Sequence, residues 1–298
     1  SCHWLILSAM IIAIASGKGG TGKTLVSTNL FQVSLDDRVD VVLVDCDAEE
    51  PNDAVFLPGE PKGMQTVTQQ MPVIDKAVCT YCGRCHDWCS YNAIFFLREP
   101  RRIDVLEDLC HDCGACLAAC KVGAITEKTV PIGTLSMRYI NKRPALIEGR
   151  TLVGTASPVK IIKQAISEAG KHDLVILDAP PGISCPFIAT VEPADYVVLV
   201  TEPTPFGLND LALSIETLEQ MGKPHGVVVN RAGLGDEALY RWLVDKGVLQ
   251  LADIPFDRAI ASVYAEGKLV VKVLPAYKPV FQTLLDRIRA QAHPSTIA

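Results

Sequence analysis

A mostly parallel, doubly wound α/β sheet carrying a small inserted α+β unit is the fold this sequence predicts. Three observations predict it. An apolar run, Met10 to Ala15, feeds a glycine-rich loop and then a helix-like segment, Leu25 to Leu35. Further apolar runs recur at Val39–Val44, Asp173–Asp178, Tyr196–Val200 and Gly226–Val229, each reading as a strand buried on both faces. Between Val44 and Asp173 two cysteine-rich segments repeat at an offset of 31 residues.

The first strand and its loop define the chemistry. Gly17-Lys18-Gly19-Gly20-Thr21-Gly22-Lys23-Thr24 has the strand–loop–helix context of a phosphate cradle. Glycines let successive backbone N–H groups turn inward around an anion. The following helix adds its free N-terminal N–H groups and partial positive charge. Lys23 is placed to reach the outer phosphates and the Thr24 hydroxyl to hold Mg²⁺. An ordinary glycine-rich turn is the alternative.

The second strand ends in Asp45-Cys46-Asp47, followed by Ala48-Glu49-Glu50-Pro51-Asn52. Carboxylates at the C-terminal end of a parallel strand face the ligand crevice of a doubly wound sheet. The strand after the cysteine segments ends in Asp178-Ala179-Pro180-Pro181-Gly182. An acid closing an apolar strand has the Walker B arrangement and supports Mg²⁺, here through water.

The loop resembles the deviant Walker A signature of the MinD/ParA/nitrogenase-reductase class of ATPases. The resemblance implies an ATP-sandwiched dimer in which the early lysine, Lys18, acts on the partner's nucleotide. It also implies that Asp47 positions the attacking water, that Asp45 supports Mg²⁺ through its water shell, and that Gly182 offers its N–H to the γ-phosphate. Asn230, ending the Gly226–Val229 strand, would contact adenine, and Ile254-Pro255-Phe256-Asp257 resembles a loop near the base. ATP or ADP with Mg²⁺ is the expected ligand. Cys185 stands seven residues after Asp178, where nitrogenase reductase places one ligand of a dimer-bridging cluster. That cluster needs a second cysteine, and none lies between Cys120 and Cys185. Cys185 is therefore an accessory thiol or a small packed residue, and Cys46 a packing residue at a strand end.

The cysteine repeat is the second specific signal. Cys79-x-x-Cys82-Gly83-x-Cys85-x-x-x-Cys89 aligns with Cys110-x-x-Cys113-Gly114-x-Cys116-x-x-x-Cys120. This is the spacing of a two-cluster bacterial ferredoxin, in which the fourth cysteine of each run serves the other cluster. One [4Fe–4S] cluster is expected on Cys79, Cys82, Cys85 and Cys120, and the other on Cys110, Cys113, Cys116 and Cys89. Zinc, which usually takes separated Cys-x-x-Cys pairs, is the alternative. The proline that usually follows the fourth cysteine is replaced by Ser90 and Lys121. With both cysteine sets complete, His86 and His111 read as solvated loop residues.

The remaining chain fits around these two signals. Its 298 residues suffice for one large and one small domain. Hydrophobic residues are 49% and charged residues 21%, an ordinary globular balance. A formal net charge of −6 gives no field favouring nucleic acid or an anionic membrane. Eight of the eleven cysteines lie between Cys79 and Cys120, a clustering that points to metal binding in a reducing, cytoplasmic setting. Met10 reads as a natural start, with Ser1 to Ala9 as an extension. Trp4 to Ala15 lacks the basic lead and cleavage site of a signal peptide. The Pro/Gly-rich stretch Leu57–Gly63 marks a domain boundary. The expected domains are an ATPase at 10–57 and 150–298 and an insert at 58–149, its ferredoxin module at about 72–128. Arg138–Arg150 reads as two short strands about a polar turn. Ser157-Pro158 starts a helix to Glu168, and Leu208 to Met221 forms another. Val280 to Gln291 is amphipathic. With only Arg287 and Arg289 basic, it reads as core packing rather than a membrane anchor.

These readings predict an ATPase that couples nucleotide binding in a dimer, of two copies or with a paralogue, to electron transfer through two clusters toward a partner metalloprotein. Alternatives are a metallocluster assembly or carrier protein, for which eight buried-type cysteines would argue against release, and a regulatory or positioning ATPase with structural or redox-sensing clusters.

Overall fold

In a computed structural model, which describes residues 10–57, 59, 61–140, 142–170, 172–235 and 237–292, nine strands form one sheet. The first nine residues, with Cys2 and the whole predicted N-terminal extension, lie outside the described residues, as do Pro58, Glu60 and Asn141 of the predicted loop and turn. The elements in chain order are β1 (Met10–Ala15), α1 (Lys23–Asp36), β2 (Val41–Asp45), β3 (Lys62–Ile74), α2 (Arg84–Asp87), β4 (Ile94–Leu97), β5 (Arg102–Val105), α3 (Ala115–Ala119), β6 (Ile125–Ile140), β7 (Arg143–Thr151), α4 (Val159–Glu168), β8 (Leu174–Asp178), α5 (Cys185–Val191), β9 (Tyr196–Thr201), α6 (Pro205–Gln220), β10 (His225–Ala232), α7 (Ala238–Lys246), β11 (Gln250–Pro255), α8 (Arg258–Ala265), α9 (Val270–Val273) and α10 (Lys278–Ala292).

The sheet order is β11-β10-β9-β1-β8-β2-β7-β6-β3. Pairing is parallel from β11 to β7 and antiparallel for β7/β6 and β6/β3. Alternate residues along each central strand feed two cores. Ile12, Ile14, Leu43 and Ile176 face α1, α8, α9 and α10. Ala13, Val42, Val44 and Leu177 face α4, α5, α6 and α7. Both faces are covered, which is why these strands read as unbroken apolar runs rather than alternating ones.

α1 is buried from Lys23 to Ser34 although rich in Ser, Thr and Asn. Its hydroxyls bond back to the preceding turn, as from Ser34 Oγ to the Leu30 carbonyl at 2.8 Å. Asn29 Oδ1 accepts the Val271 N–H at 2.9 Å, tying α9 to α1. Polar side chains are tolerated here because each finds a partner. α10 buries Phe281, Leu284, Leu285 and Ile288 against α1 and β11.

The structure differs from the sequence reading across 58–149. β3, β6 and β7 continue the main sheet, with β7 lying beside β2 in the register Leu43–Leu146 to Asp45–Glu148. The expected short strands over Arg138–Arg150 are the end of a 16-residue strand and the whole of a 9-residue one. Sequence patterning conceals this because β3 and the outer part of β6 form a solvent-facing ribbon rich in Thr, Gln and Lys. Among the described residues of this span, those between Ile74 and Ile125 form the unit that stands outside the sheet. They hold the small β4/β5 hairpin, α2 and α3.

The ribbon sets where this unit sits. β6 pairs with β7 as far as Gly133–Thr151, then runs eight residues further to Ile125, paired with β3 alone. That is ~27 Å at about 3.4 Å per residue. It projects past the C-terminal end of β7, the edge at which β2 and β8 end in Asp45 and Asp178. An ion pair from Lys160 on α4 to Asp112 braces it.

Candidate functional site: a phosphate loop and two cysteine pockets

The loop after β1 wraps a buried lysine. Lys23 Nζ donates to Ser16 Oγ at 3.1 Å, and Ser16 Oγ donates to the Lys18 carbonyl at 2.6 Å. Burial lowers the Lys23 pKa, opposed by the carboxylates of Asp178, Asp47 and Asp53. Gly22 sits at φ 98°, and a β-carbon there would collide with the Asn230 amide. Glycine is required on both counts. Asn230 Nδ2 donates to the Thr21 carbonyl at 2.8 Å, so the end of β10 pins the loop.

Parallel register brings the carboxylates together. Asp45 pairs with Asp178 across β2 and β8, and Ile14 pairs with Asp178 across β1 and β8. Asp178 Oδ2 accepts from the hydroxyls of Thr24 at 2.8 Å and Ser27 at 3.1 Å. Asp45 accepts the backbone N–H groups of Asp47, Asn52 and Asp53 at 3.1, 2.9 and 3.0 Å. It therefore braces the loop that follows β2. Thr24 Oγ1 also lies 3.1 Å from Asn52 Oδ1.

Asp53, opening a 3-10 turn at Asp53–Val55, is fully buried. Neither of its carboxyl oxygens, nor Asp178 Oδ1, has an N–H or hydroxyl donor among the described residues. Burial first, then the charges of Asp45 and Asp178, push the Asp53 pKa well up. Burial and Asp178 do the same to Asp45. Burial also raises Asp178, against the pull of Lys23. Three buried acids with three undonated oxygens beside a threonine hydroxyl are the surroundings a hard cation relieves. On that chemistry Thr24 and Asp178 fit Mg²⁺.

Two clefts meet over the loop. One is lined by Gly20, Lys23, Thr24, Asp47, Asn52 and Asp178. The other is lined by Gly22, Asn230, Arg231, Pro255, Phe256 and Ile260. Tyr264 lines both. Polar and charged at one end and more apolar at the other, the crevice suits phosphates joined to a planar base.

The cysteines form two separate pockets at the end of the ribbon. One is lined by Cys79, Cys82, Cys85 and Cys120, the other by Cys110, Cys113, Cys116 and Cys89. Each takes three cysteines from one repeat and the fourth from the other. The repeat is exact in backbone sign: Tyr81, Gly83 and Asn92 have positive φ, as do Asp112, Gly114 and Gly123 at the same offset of 31. Backbone N–H groups of Tyr81, Ala93 and Ala124 donate to the sulfurs of Cys79, Cys89 and Cys120 at 3.4, 3.2 and 3.2 Å. All the described cysteines are free thiols. No three His, Cys, Asp or Glu side chains among the described residues close on a single metal ion. Each set of four thiols lines one pocket, a soft donor set of the kind that iron–sulfur clusters or zinc take. Cys82 and Cys113 are exposed and Cys79, Cys89 and Cys120 half-buried, so the expectation of eight buried-type cysteines does not hold.

The model of the CobQ/CobB/MinD/ParA nucleotide binding domain matches residues 12–270. This chain belongs to that family. Two uncharacterised proteins of Methanocaldococcus jannaschii are each 30% identical to it. One alignment covers 88% of this chain and 92% of the relative, the other 94% and 98%. Among solved structures, the septum site-determining protein MinD of Pyrococcus horikoshii OT3, complexed with Mg-ADP, superposes with a TM-score of 0.59. Its sequence identity is 21%, over 97% of this chain and 100% of that one. The cell division ATPase MinD of Pyrococcus furiosus gives 0.58 and 23%, over 94% and 98%. At these identities the likeness is one of fold.

Within this MinD/ParA-type domain, most of the residues singled out in the sequence gather at one crevice. Gly19, Gly20, Gly22, Lys23, Thr24, Asp47 and Asp178 line its phosphate end, and Asn230 and Pro255 its other end. Burial raises the Asp47 pKa, against the pull of Lys23. Other residues stand differently. Lys18 lies with Gly17 and Thr21 in a groove beside Thr201 and Asp210, away from the phosphate end. Gly182 N–H is engaged by the Ser16 carbonyl at 3.1 Å. Cys185 is exposed at the start of α5, while Cys46 is buried beside Val44. Sequence reasoning missed Asp53, Ser27 and Tyr264. Asp53 sits directly after the motif stretch that ends at Asn52, but only the fold shows it buried. Tyr264 has no motif around it.

Among the described residues no helix is long and apolar enough to cross a membrane.

Proposed function

We propose that this chain is a Mg²⁺-dependent ATPase whose nucleotide state controls one-electron transfer through two [4Fe–4S] clusters held by the insert. The observation that carries this reading is the pair of four-cysteine pockets, each completed by the other repeat. They sit on a ribbon that starts five residues after Leu57, where the loop following β2 ends.

At the nucleotide end, Lys23 and the loop N–H groups bind the phosphates, and Thr24 and Asp178 hold Mg²⁺. Asp47 lines the phosphate end beside Lys23 and orients the attacking water. Asn230 and Pro255 bound the base. In a dimer of two copies, or of this chain with a paralogue, Lys18 leaves its groove beside Asp210 and faces the partner's phosphates. The presence of two similar chains in one organism supports the paralogue version. At the other end, the cysteine thiolates with their backbone N–H donors hold the clusters, which supply reversible one-electron transfer when bound. A partner metalloprotein takes the electron. The exposure of Cys82 and Cys113 favours, as a second reading, handing a cluster to a partner instead.

Anaerobic EPR of the reduced, iron-reconstituted protein with and without Mg-ATP tests this. Two interacting cluster signals that change with nucleotide support gated electron transfer. Two clusters indifferent to nucleotide point to a carrier or regulatory role. A chain that takes up no iron or sulfide overturns the cluster assignment and returns zinc.

A further inference from the structure

We infer that Tyr264 is the positioning residue through which an occupied nucleotide crevice acts on the cysteine-bearing ribbon; the inference rests on the nucleotide reading above. Tyr264 stands where the two clefts meet and lines both. On one side it lines the phosphate end together with Thr24. Its ring stacks on Phe56, with centroids 4.7 Å apart and planes inclined by 28°. Phe56 is buried and lines neither cleft. It follows the 3-10 turn that Asp53 opens, and Leu57 after it is also buried in the same core. Five residues on, β3 begins.

A second contact joins the same two segments. Gly267, at φ 67° in the turn after α8, presses against Val55 so closely that a β-carbon there would stand 2.8 Å from Val55 Cγ1. The end of α8 and the loop after β2 therefore move as one packed unit. Phosphates entering at Thr24 and a base entering beside Ile260 both come against Tyr264. A shift of its ring is passed to Phe56 because close-packed side chains transmit displacement rather than absorb it. From Phe56 the chain leads into β3 and so to the base of the ribbon.

The alternative is that Tyr264 only fills the core. Hydrogen–deuterium exchange of the full chain, read by peptide mass spectrometry with and without saturating Mg-ATP, separates the two. In the parent, nucleotide should protect residues 17–24 and change exchange over 47–57 and 62–74. Phe56→Leu should keep the protection over 17–24 and reduce the nucleotide-dependent change over 62–74 by ~2–10-fold, the range expected for losing an aromatic stack. Tyr264→Leu, compared at saturation, should lose the same change. A purely structural role would raise exchange over 62–74 equally with and without nucleotide, and that result would overturn the inference. So would protection over 17–24 in the parent with no change over 62–74, which leaves the nucleotide reading intact. No protection over 17–24 in the parent would overturn the nucleotide reading itself.

Discussion

Asp53→Asn should stabilise this protein in metal-free buffer, and the gain should grow with pH. Asp53 is fully buried, and burial together with Asp45 and Asp178 raises its pKa. An acid whose folded-state pKa lies above its unfolded value of ~3.9 contributes stability that is fully present below that value. The contribution is lost as pH rises through the raised folded value. Asp45 and Asp178 shift in the same direction, so the parent should weaken steadily over that window. Asparagine has no proton to lose, and its Nδ2 can donate to Asp178 Oδ1, which otherwise has no N–H or hydroxyl donor. A buried group left without its partner costs ~1–3 kcal/mol. The expected gain is therefore ~1–3 kcal/mol near pH 8 and least below about pH 4, with each kcal/mol worth roughly 2–4 °C in a chain of this size. Thermal unfolding followed by circular dichroism in EDTA measures it. Asp53→Leu supplies no donor and should melt below Asp53→Asn at every pH. If Asp53→Asn melts at or below the parent near pH 8, the argument from shared burial is wrong.

Lys23→Ala should cut affinity for a fluorescent ATP analogue by ~10–100-fold, since a charge-assisted contact is worth ~1.5–3 kcal/mol, while circular dichroism stays unchanged. Asn230→Ala removes the 2.8 Å bond to the Thr21 carbonyl. It should weaken nucleotide binding several-fold and lower stability by ~1 kcal/mol, seen together in a thermal-shift titration. Cys82→Ser should remove about half the iron bound after reconstitution if each pocket holds one cluster. Cys46→Ser, whose sulfur lies in neither pocket, should leave iron content unchanged. Gly133→Ala would drive a methyl group into the Arg150 carbonyl and the Ile161 side chain. It should cost ~1–3 kcal/mol in chemical unfolding by loosening the ribbon from β7 and α4.

What the sequence by itself determined is local chemistry written in spacing. The loop from Gly17 to Thr24 needs glycines and a lysine at fixed positions because backbone N–H groups and one cation must converge within a single turn. The spacing of the two cysteine runs already indicated which four cysteines share each pocket, three from one repeat and one from the other. The central strands were legible as well, since burial on both faces removes the polar residues that would break an apolar run. Tertiary structure alone decided the rest. β3 and the outer half of β6 are half-solvated ribbon, so their polar composition conceals their place in the main sheet. The gathering of Asp45, Asp53 and Asp178 follows from the register of β2 against β8 and from a 3-10 turn folding back under it. Tyr264 meets Phe56 across more than two hundred residues of chain. Neither juxtaposition leaves a local pattern, because sheet register and helix packing are set by the whole core rather than by neighbours in sequence.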